Sequence, residues 1–261
     1  MSIVVGILNA TPDSFYDGGK YDNLIDRTRQ MMDDGADWID IGGESTRPNS
    51  DYVSEQEELE RVLPIFEAVQ KECHERNIRL SIDTTKPEVA RQAHKYGATV
   101  LNDVQGLQNP IMGEVSALFD ITIVMHSRST PKDMQLKTHT TYTNLVEDII
   151  QEVTLGIQRA RSRQVYFDPG IGFAKTAQQS LQILGYTEDF LQLGHPILIG
   201  TSRKSFIGHT LTLPKSEDRL IGSLATVAYT HERGASAWRV HDVKETRQML
   251  DMLDALKGPR A

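Results

Sequence analysis

The chain has 261 residues, of which 39% are hydrophobic and 25% are charged, and this is ordinary globular usage at a length typical of one α/β barrel. Its formal net charge of -8 argues against a broad nucleic-acid surface, because such binding requires a basic face. Cys73 is the only cysteine, so no intrachain disulfide can form, and the first apolar run is too short for a signal peptide or a membrane span. We therefore expect a cytoplasmic protein that binds neither nucleic acid nor a membrane.

Short apolar runs alternate with longer segments of helical period along the whole chain, which is the pattern of βα units that form a parallel sheet. Eight strands are predicted, at residues 3–8, 38–41, 80–83, 100–103, 121–125, 165–168, 197–200 and 237–240. Eight such units favour closure into a (β/α)8 TIM barrel, with residues 1–261 as a single domain. A doubly wound open sheet is the alternative, although no G-x-G-x-x-G stretch follows the first strand.

Helix boundaries are marked by polar caps and by glycines. A polar residue followed three positions later by Glu predicts a helix start, and this signal occurs at Ser54, Thr85 and Asp242. Glycine permits the left-handed turn that ends many helices, and a Gly-Ala pair precedes a predicted strand at Gly35, Gly97 and Gly234.

Polar residues cluster where the predicted strands end, and in a parallel barrel these ends share the face on which active sites are built. Asp83, Asn102 and Asp168 end three different strands after strongly apolar residues. For any one of them in isolation, a capping role is the simpler interpretation. Three such residues at one mouth indicate a binding site, and their carboxylates and carboxamide suit a planar heterocycle with several N–H donors, such as a 2-amino-4-oxopyrimidine ring.

A cationic group is predicted around the same mouth. Arg239 and His241 lie on one face of the eighth strand, because side chains alternate along a strand, and barrels often bind phosphate after strands seven and eight. Together with Arg47, Arg203 and Lys204 they predict a local positive pocket that binds a diphosphate. The alternative is that Arg47 is a surface arginine and that His241 caps a loop.

Two loops rich in glycine are further candidates. The segment 9–19, NATPDSFYDGG, is typical of an ordinary βα loop and also has the composition of a lid. The segment 168–175, DPGIGFAK, predicts a loop that lets the backbone approach a flat ligand, with Phe173 available to stack. No zinc or serine-hydrolase motif occurs, and the histidines other than His241 are interpreted as incidental.

Eight segments, in this order, resemble the dihydropteroate synthase family. They are GILNATPDSFYDGG (6–19), DIGGESTRP (40–48), SIDTTKPEVA (81–90), LNDV (101–104), MH (125–126), DPGIGFAK (168–175), TSRKSFIG (201–208) and RVHDV (239–243). The resemblance covers the chain from end to end. It departs from the family pattern at Ala174, where glycine is usual, and at residues 127–129.

The resemblance implies a role for each matching residue. Asn9 would hold a Mg²⁺ ion on the diphosphate, with Arg239 and His241 binding the same group and Thr46 close to it. Asp83, Asn102 and Asp168 would bind the pterin edge, with Lys204 reaching the ring and Met125 lining the slot. The outer p-aminobenzoate site would consist of Arg47, Pro48, Phe173 and Ser205. The catalytic residues would be Lys204, Asp83, Asp168, Arg239 and His241.

The implied reaction joins 6-hydroxymethyl-7,8-dihydropterin diphosphate to p-aminobenzoate, releasing diphosphate in folate biosynthesis, in an enzyme that is usually a homodimer. Two alternatives remain at this point. A folate-dependent methyltransferase of the same superfamily would share Asp83, Asn102 and Asp168 but would need no diphosphate site. A non-catalytic paralogue would bind pterins without turnover.

Overall fold

Eight parallel strands form the centre of the molecule in the computed structural model, which describes residues 2–11, 20–45, 50–129, 136 and 138–258. The strands are β1 (Ile3–Asn9), β2 (Trp38–Gly42), β3 (Arg79–Asp83), β4 (Ala98–Asp103), β5 (Ile121–Met125), β6 (Gln164–Asp168), β7 (Leu198–Ile199) and β8 (Ala237–Val240). Their positions confirm the predicted strands, and only β7 is clearly shorter than expected.

The sheet curves into a nearly closed barrel. Hydrogen-bonded neighbours follow the order β6-β5-β4-β3-β2-β1-β8-β7, and the two outer strands approach each other through a parallel bridge between Phe167 and Ile197. The Phe167 amide also donates to the Pro196 carbonyl at 2.9 Å. This closure confirms the (β/α)8 TIM barrel and rules out the open doubly wound sheet.

Helices lie between the strands and cover the outside of the barrel. They are α1 (Lys20–Asp33), α2 (Glu55–Glu75), α3 (Pro87–Lys95), α4 (Pro110–Val115), α5 (Leu145–Arg159), α6 (Ala177–Gly185), α7 (Ser205–Leu211), α8 (Leu220–His231) and α9 (Val243–Leu256). Strand β7 is thus followed by both α7 and α8 before β8 begins. Within the described ranges, no helix is long and apolar enough to cross a membrane.

The predicted helix boundaries are partly correct. Ser54 caps α2, because its side chain accepts a hydrogen bond from the Glu57 amide. The prediction at Thr85 is wrong, since α3 begins after Lys86 with Pro87 in its first turn and without a side-chain cap. Asp242 occupies the cap position of α9 but its side chain makes no capping bond. The three predicted C-cap glycines are confirmed, with φ of 93° at Gly35, 91° at Gly97 and 88° at Gly234.

Two hydrophobic layers hold the barrel together. The larger lies between the sheet and the helices, and the smaller fills the inside of the barrel. The inner plug consists of Val5, Trp38, Val100, Ile121, Ile123, Tyr166, Leu198 and Ala237. Trp38 and Tyr166 meet edge to face there, with ring centroids 5.2 Å apart. The plug closes one end of the barrel and leaves the carboxyl ends of the strands for polar side chains.

Candidate active site

A polar layer lies directly beyond the apolar plug, and the alternation of side chains along the strands places it there. Side chains two residues apart on a strand share a face. Trp38, Val100, Tyr166 and Ala237 belong to the plug, and the residues two positions later on the same strands are Asp40, Asn102, Asp168 and Arg239. Four strands therefore change from apolar to polar at the same depth, and this change creates a polar mouth inside the barrel.

Asp40 is the buried centre of this layer, with no exposed surface. Its Oδ1 accepts a hydrogen bond from Ser81 Oγ at 2.5 Å, and its Oδ2 accepts from Asn102 Nδ2 at 3.0 Å and from Arg239 Nε at 2.5 Å. Arg239 Nη2 donates in turn to Asp83 Oδ2 at 2.7 Å. The network thus brings together three of the predicted site residues, Asp83, Asn102 and Arg239.

This network has one positive side chain and two acidic ones, since Arg239 pairs with both Asp40 and Asp83. Burial raises the pKa of Asp83 from 3.8 to about 7, against the opposing effect of Arg239. Burial alone would lower the pKa of Arg239, but the two carboxylates raise it above its usual value. Arg239 is therefore a fixed cation, and Asp83 is a group whose protonation changes near neutral pH.

This arrangement differs from the positive rim that the sequence predicted. Arg239 lies inside the mouth, and its Nε and Nη2 both donate to carboxylates. Arg203 donates to Asp242 through Nε at 3.0 Å and pairs with the same carboxylate through Nη2. The predicted local excess of positive charge was wrong for these two arginines, because long-range acidic partners balance both of them.

Asp168 and Lys204 form a second pair of polar groups in the mouth. A Cβ atom built on Gly200 would lie 3.7 Å from Asp168 Oδ2 and 3.8 Å from Lys204 Nζ, so both groups converge beside this glycine. Burial raises the pKa of Asp168 above its usual value, although the nearby Lys204 opposes the change. Burial also lowers the pKa of Lys204 to about 8, against the attraction of Asp168. Such perturbed pairs are typical of functional sites.

The loop after β6 forms one wall of the mouth. Lys204 Nζ donates to the Ile171 carbonyl at 2.5 Å and lies 4.9 Å from the centre of the Phe173 ring. Met125 is buried and pairs in register with Asp168, which places it at the same level of the barrel. Ser205 is the exposed first residue of α7. Lys204, Phe173 and Met125 therefore lie around one opening, and Ser205 follows Lys204 directly in the sequence.

His241 lies on the segment that joins β8 to α9. Its Nδ1 is 3.0 Å from Ser202 Oγ, and its backbone amide donates to the same hydroxyl at 3.1 Å. This contact links the loops that follow β7 and β8, where barrels often bind phosphate. The loop that carries the predicted residues Thr46, Arg47 and Pro48, like residues 12–19, lies outside the described residues.

Asn9 ends β1, in register with Gly42 on the neighbouring strand. Among the described residues, no group of three or more His, Cys, Asp or Glu side chains is arranged to hold a metal ion. Mg²⁺ commonly binds through one or two protein oxygens together with substrate phosphates and water. The amide oxygen of Asn9 is chemically suited to such a shared site.

Sequence reasoning assigned no role to Asp40, Ser81, His126 or Lys175. The alternation from Trp38 to Asp40 within one strand is the signal that could have identified Asp40. His126 and Lys175 were treated as incidental or left without a role, but the structure places them in contact behind the mouth, with Lys175 Nζ 2.9 Å from His126 Nδ1. No local pattern indicates that pair, because 49 positions separate its members.

A barrel with buried carboxylates, an asparagine and a lysine at the carboxyl ends of its strands has the architecture of a barrel enzyme with a polar binding site. A family model described as pterin binding enzyme matches residues 5–241. Since this is most of the chain, the chain belongs to the pterin-binding enzyme family.

Within that family its relatives are dihydropteroate synthases. The enzyme of Bacillus subtilis (strain 168) is 42% identical over 98% of this chain and 88% of its own length. That of Synechocystis is 43% identical over 97% of this chain and 89% of its own. The crystal structure of the Yersinia pestis dihydropteroate synthase with a sulfonamide drug complex has a TM-score of 0.89 and 37% identity, covering 98% of this chain and 94% of that one. The Xanthomonas albilineans enzyme with 4-aminobenzoic acid has a TM-score of 0.89 and 34% identity, covering 98% and 93%.

Proposed function

We propose that this chain joins 6-hydroxymethyl-7,8-dihydropterin diphosphate to p-aminobenzoate, giving 7,8-dihydropteroate and diphosphate in folate biosynthesis. The observation that carries the proposal is the convergence of Asp83, Asn102, Asp168 and Lys204 in one barrel mouth, in a chain about 40% identical to named dihydropteroate synthases.

The mouth suits the flat edge of a pterin. The 2-amino-4-oxopyrimidine ring presents N–H donors and a carbonyl acceptor in one plane. The carboxylates of Asp83 and Asp168 accept hydrogen bonds, the amide of Asn102 both donates and accepts, and the ammonium of Lys204 donates. Because Asp83, Asn102 and Asp168 are nearly buried, an apolar or wrongly oriented ligand would leave their remaining donors and acceptors unsatisfied, and this makes the site selective.

The reaction exchanges one bond at the pterin methylene carbon. The C–O bond breaks, and its electron pair leaves with the diphosphate. The amine nitrogen of p-aminobenzoate forms the new C–N bond and loses one proton. The electron-rich pterin stabilises the positive charge that develops on the methylene group, and Asp83 and Asp168 hold the ring in place while this happens.

The leaving diphosphate is assigned to the side of the mouth where β7 and β8 end. His241 is positioned there by Ser202, and Arg239 is one strand layer deeper. Mg²⁺, when bound, would neutralise charge on the departing diphosphate, and Asn9 is the residue proposed to hold it. Chelating the metal is expected to weaken binding of the pterin diphosphate in titration calorimetry, and unchanged binding would remove this role from Asn9.

The second substrate is assigned to the outer part of the mouth. Phe173 offers an aromatic ring next to Lys204, the exposed Ser205 follows that lysine directly in the sequence, and Arg47 and Pro48 are the further residues of the proposed p-aminobenzoate site. An aromatic ring against Phe173 and a carboxylate near a cation or hydroxyl match the two ends of p-aminobenzoate.

We further propose that the protein is a cytoplasmic homodimer. Helices α6, α7 and α8 contact one another and carry exposed apolar side chains, including Leu181, Leu211 and Ile221, which is 74% exposed. Exposed apolar groups on adjacent helices support a protein interface. Sedimentation analysis is expected to give twice the chain mass, and replacing Ile221 by Glu is expected to shift the protein toward monomer.

One incubation tests the activity. The protein is mixed with 6-hydroxymethyl-7,8-dihydropterin diphosphate, p-aminobenzoate and Mg²⁺, and both diphosphate and dihydropteroate are quantified. Equal amounts of the two products, with none when p-aminobenzoate is omitted, are expected. A methyltransferase would release no diphosphate, and a non-catalytic paralogue would bind the pterin without forming either product.

A further inference from the structure

A lysine ammonium is buried behind the wall of the mouth. Lys175 is only 5% exposed, and its Nζ lies 2.9 Å from His126 Nδ1 and donates to the Phe173 carbonyl at 2.9 Å. His126 Nε2 lies 2.9 Å from Glu152 Oε2 on α5. The three side chains form a series of contacts that runs from α5, through the residue that follows β5, to the loop after β6.

The protonation states of these three side chains follow from burial and from neighbouring charges. Burial, together with Lys175, lowers the pKa of His126 to about 4, so the imidazole is neutral near pH 7. Its Nδ1 then accepts from Lys175 and its Nε2 donates to Glu152, whose pKa is lowered to about 2 by the hydrogen bonds from His126 and Arg128 although burial acts against them. Each hydrogen bond that joins Lys175, His126 and Glu152 therefore has a donor and an acceptor.

Burying the charged form of Lys175 lowers the stability of the folded protein, because the ammonium loses its hydration. Burial lowers the pKa of Lys175 to about 7, opposed by Asp168 and reinforced by Lys204 and Arg128. A methionine of similar length would fill the same space without a desolvation cost, and buried charges can often be replaced in this way with little loss of stability. The lysine is therefore better explained by what it holds in place than by its contribution to folding.

What Lys175 holds is an irregular loop with little support from its own backbone. The loop uses left-handed conformations at Gly170 (φ 68°), Gly172 (φ 80°) and Ala174 (φ 49°), and the last of these is unusual for a residue with a side chain. Lys204 holds the Ile171 carbonyl from the mouth side, and Lys175 holds the Phe173 carbonyl from behind. Phe173 thus contacts two lysines, Lys204 through its ring and Lys175 through its carbonyl.

We propose that Lys175 is a positioning residue, which acts through the Phe173 carbonyl and is itself oriented by His126 and Glu152, and which sets the Phe173 ring for the arylamine substrate. The pterin side of the mouth has its own supports in the hydrogen-bond network of Asp40, Ser81 and Arg239, which Lys175 does not join. The charge of Lys175 also acts on Asp168, but Lys204 and the Gly170 amide act on that carboxylate more strongly. This inference rests on the proposed function, since it assigns Phe173 to the p-aminobenzoate site.

The decisive variant is Lys175→Met, with Lys71→Met as the matched control, because the side chain of Lys71 is 88% exposed on α2. Loss of the lysine leaves the Phe173 carbonyl without this donor, which is expected to raise KM for p-aminobenzoate by about tenfold or more. KM for the pterin diphosphate is expected to stay within about twofold of the parent, since its contacts remain. Equal increases in both KM values, or none in either, would overturn the proposal.

A milder variant covers the case in which Lys175→Met does not fold. Tyr142 Oη donates to the Ala174 carbonyl at 3.0 Å, and its ring lies 3.7 Å from the Arg128 guanidinium. Tyr142→Phe removes only the hydroxyl. This variant is expected to raise KM for p-aminobenzoate by about threefold and to leave KM for the pterin diphosphate unchanged, because it loses one neutral hydrogen bond. An unchanged value would also count against the proposal.

Hydrogen exchange separates this proposal from the proposed function. In Lys175→Met, and in Tyr142→Phe if the first variant does not fold, amides of residues 170–176 are expected to exchange about tenfold faster, while those of β3 and β4 keep the parent rate. Unchanged exchange in this loop overturns the positioning role whatever the activity. A parent protein that forms no dihydropteroate refutes the proposed function, and faster exchange would then show that the lysine holds the loop for another ligand.

Discussion

Replacing Asp83 by Asn is expected to make the protein more stable and less active at the same time. The side chain is 7% exposed and shares Arg239 with the fully buried Asp40. Burial raises its pKa from 3.8 to about 7. Asp83 therefore costs stability near neutral pH, and an amide of the same shape removes that cost.

The size of the effect follows from proton linkage. Between pH 3.8 and about 7 the folded protein holds a proton that the unfolded chain has released, so the free energy of unfolding falls as the pH rises through this window. At 1.36 kcal/mol per pKa unit, the full difference is about 4 kcal/mol. The gain from Asp83→Asn should therefore be close to zero near pH 4 and reach about 2–4 kcal/mol at pH 8. Asp103, whose pKa burial raises to about 6, is present in both proteins, so most of its own contribution cancels, and its charge is one of those that raise the pKa of Asp83.

Urea unfolding of the parent and of Asp83→Asn measures the difference in the free energy of unfolding. It is carried out at about pH 4.5 and about pH 8, which lie near the two ends of the linkage window. Activity is measured alongside, and kcat/KM for the pterin diphosphate is expected to fall by about 10- to 100-fold because the amide nitrogen would face the N–H groups of the ring. The reasoning is refuted if the variant is less stable than the parent at pH 8, or if the stability difference does not grow with pH.

Three further outcomes are expected. Lys204→Ala should lower turnover by several orders of magnitude with little change in the urea midpoint, and in the parent kcat/KM should fall as the pH rises through about 8, where Lys204 loses its proton. Gly170→Ala should destabilise the fold by about 2 kcal/mol or more in the same unfolding assay, because the new Cβ would lie 2.0 Å from the His126 carbonyl oxygen and φ is 68°. Cys73 should resist iodoacetamide until the protein is unfolded, as shown by mass spectrometry, because burial raises the pKa of its thiol to about 12.

The architecture was largely predictable because the signals for strands in a parallel barrel are local. Apolar runs mark the strands on both faces, and glycines such as Gly35 and Gly97 mark the ends of helices by their left-handed conformation. Features that depend on neighbours were not predictable. Strand β7 is short because only Leu198 and Ile199 pair with β8, and Lys86 precedes α3 without the side-chain cap that the sequence pattern at Thr85 suggested.

The candidate site was predictable as a set of positions but not as a set of contacts. Asp83, Asn102 and Asp168 could be placed at one mouth because parallel strands end at the same face. The pairing of Arg239 with Asp40 joins residues 199 positions apart, and Arg203 meets Asp242 across 39 positions. The balance of charge at the mouth depends on those pairings, and for this reason the predicted excess of positive charge did not hold for either arginine.

A crystal structure of the protein with 6-hydroxymethyl-7,8-dihydropterin diphosphate tests the central claim most directly. We expect the pterin ring inside the barrel mouth, with its polar edge within about 3 Å of Asp83, Asn102 and Asp168 and its diphosphate directed toward His241. An empty mouth at saturating ligand, or a pterin bound with these three side chains turned away from it, would contradict the account.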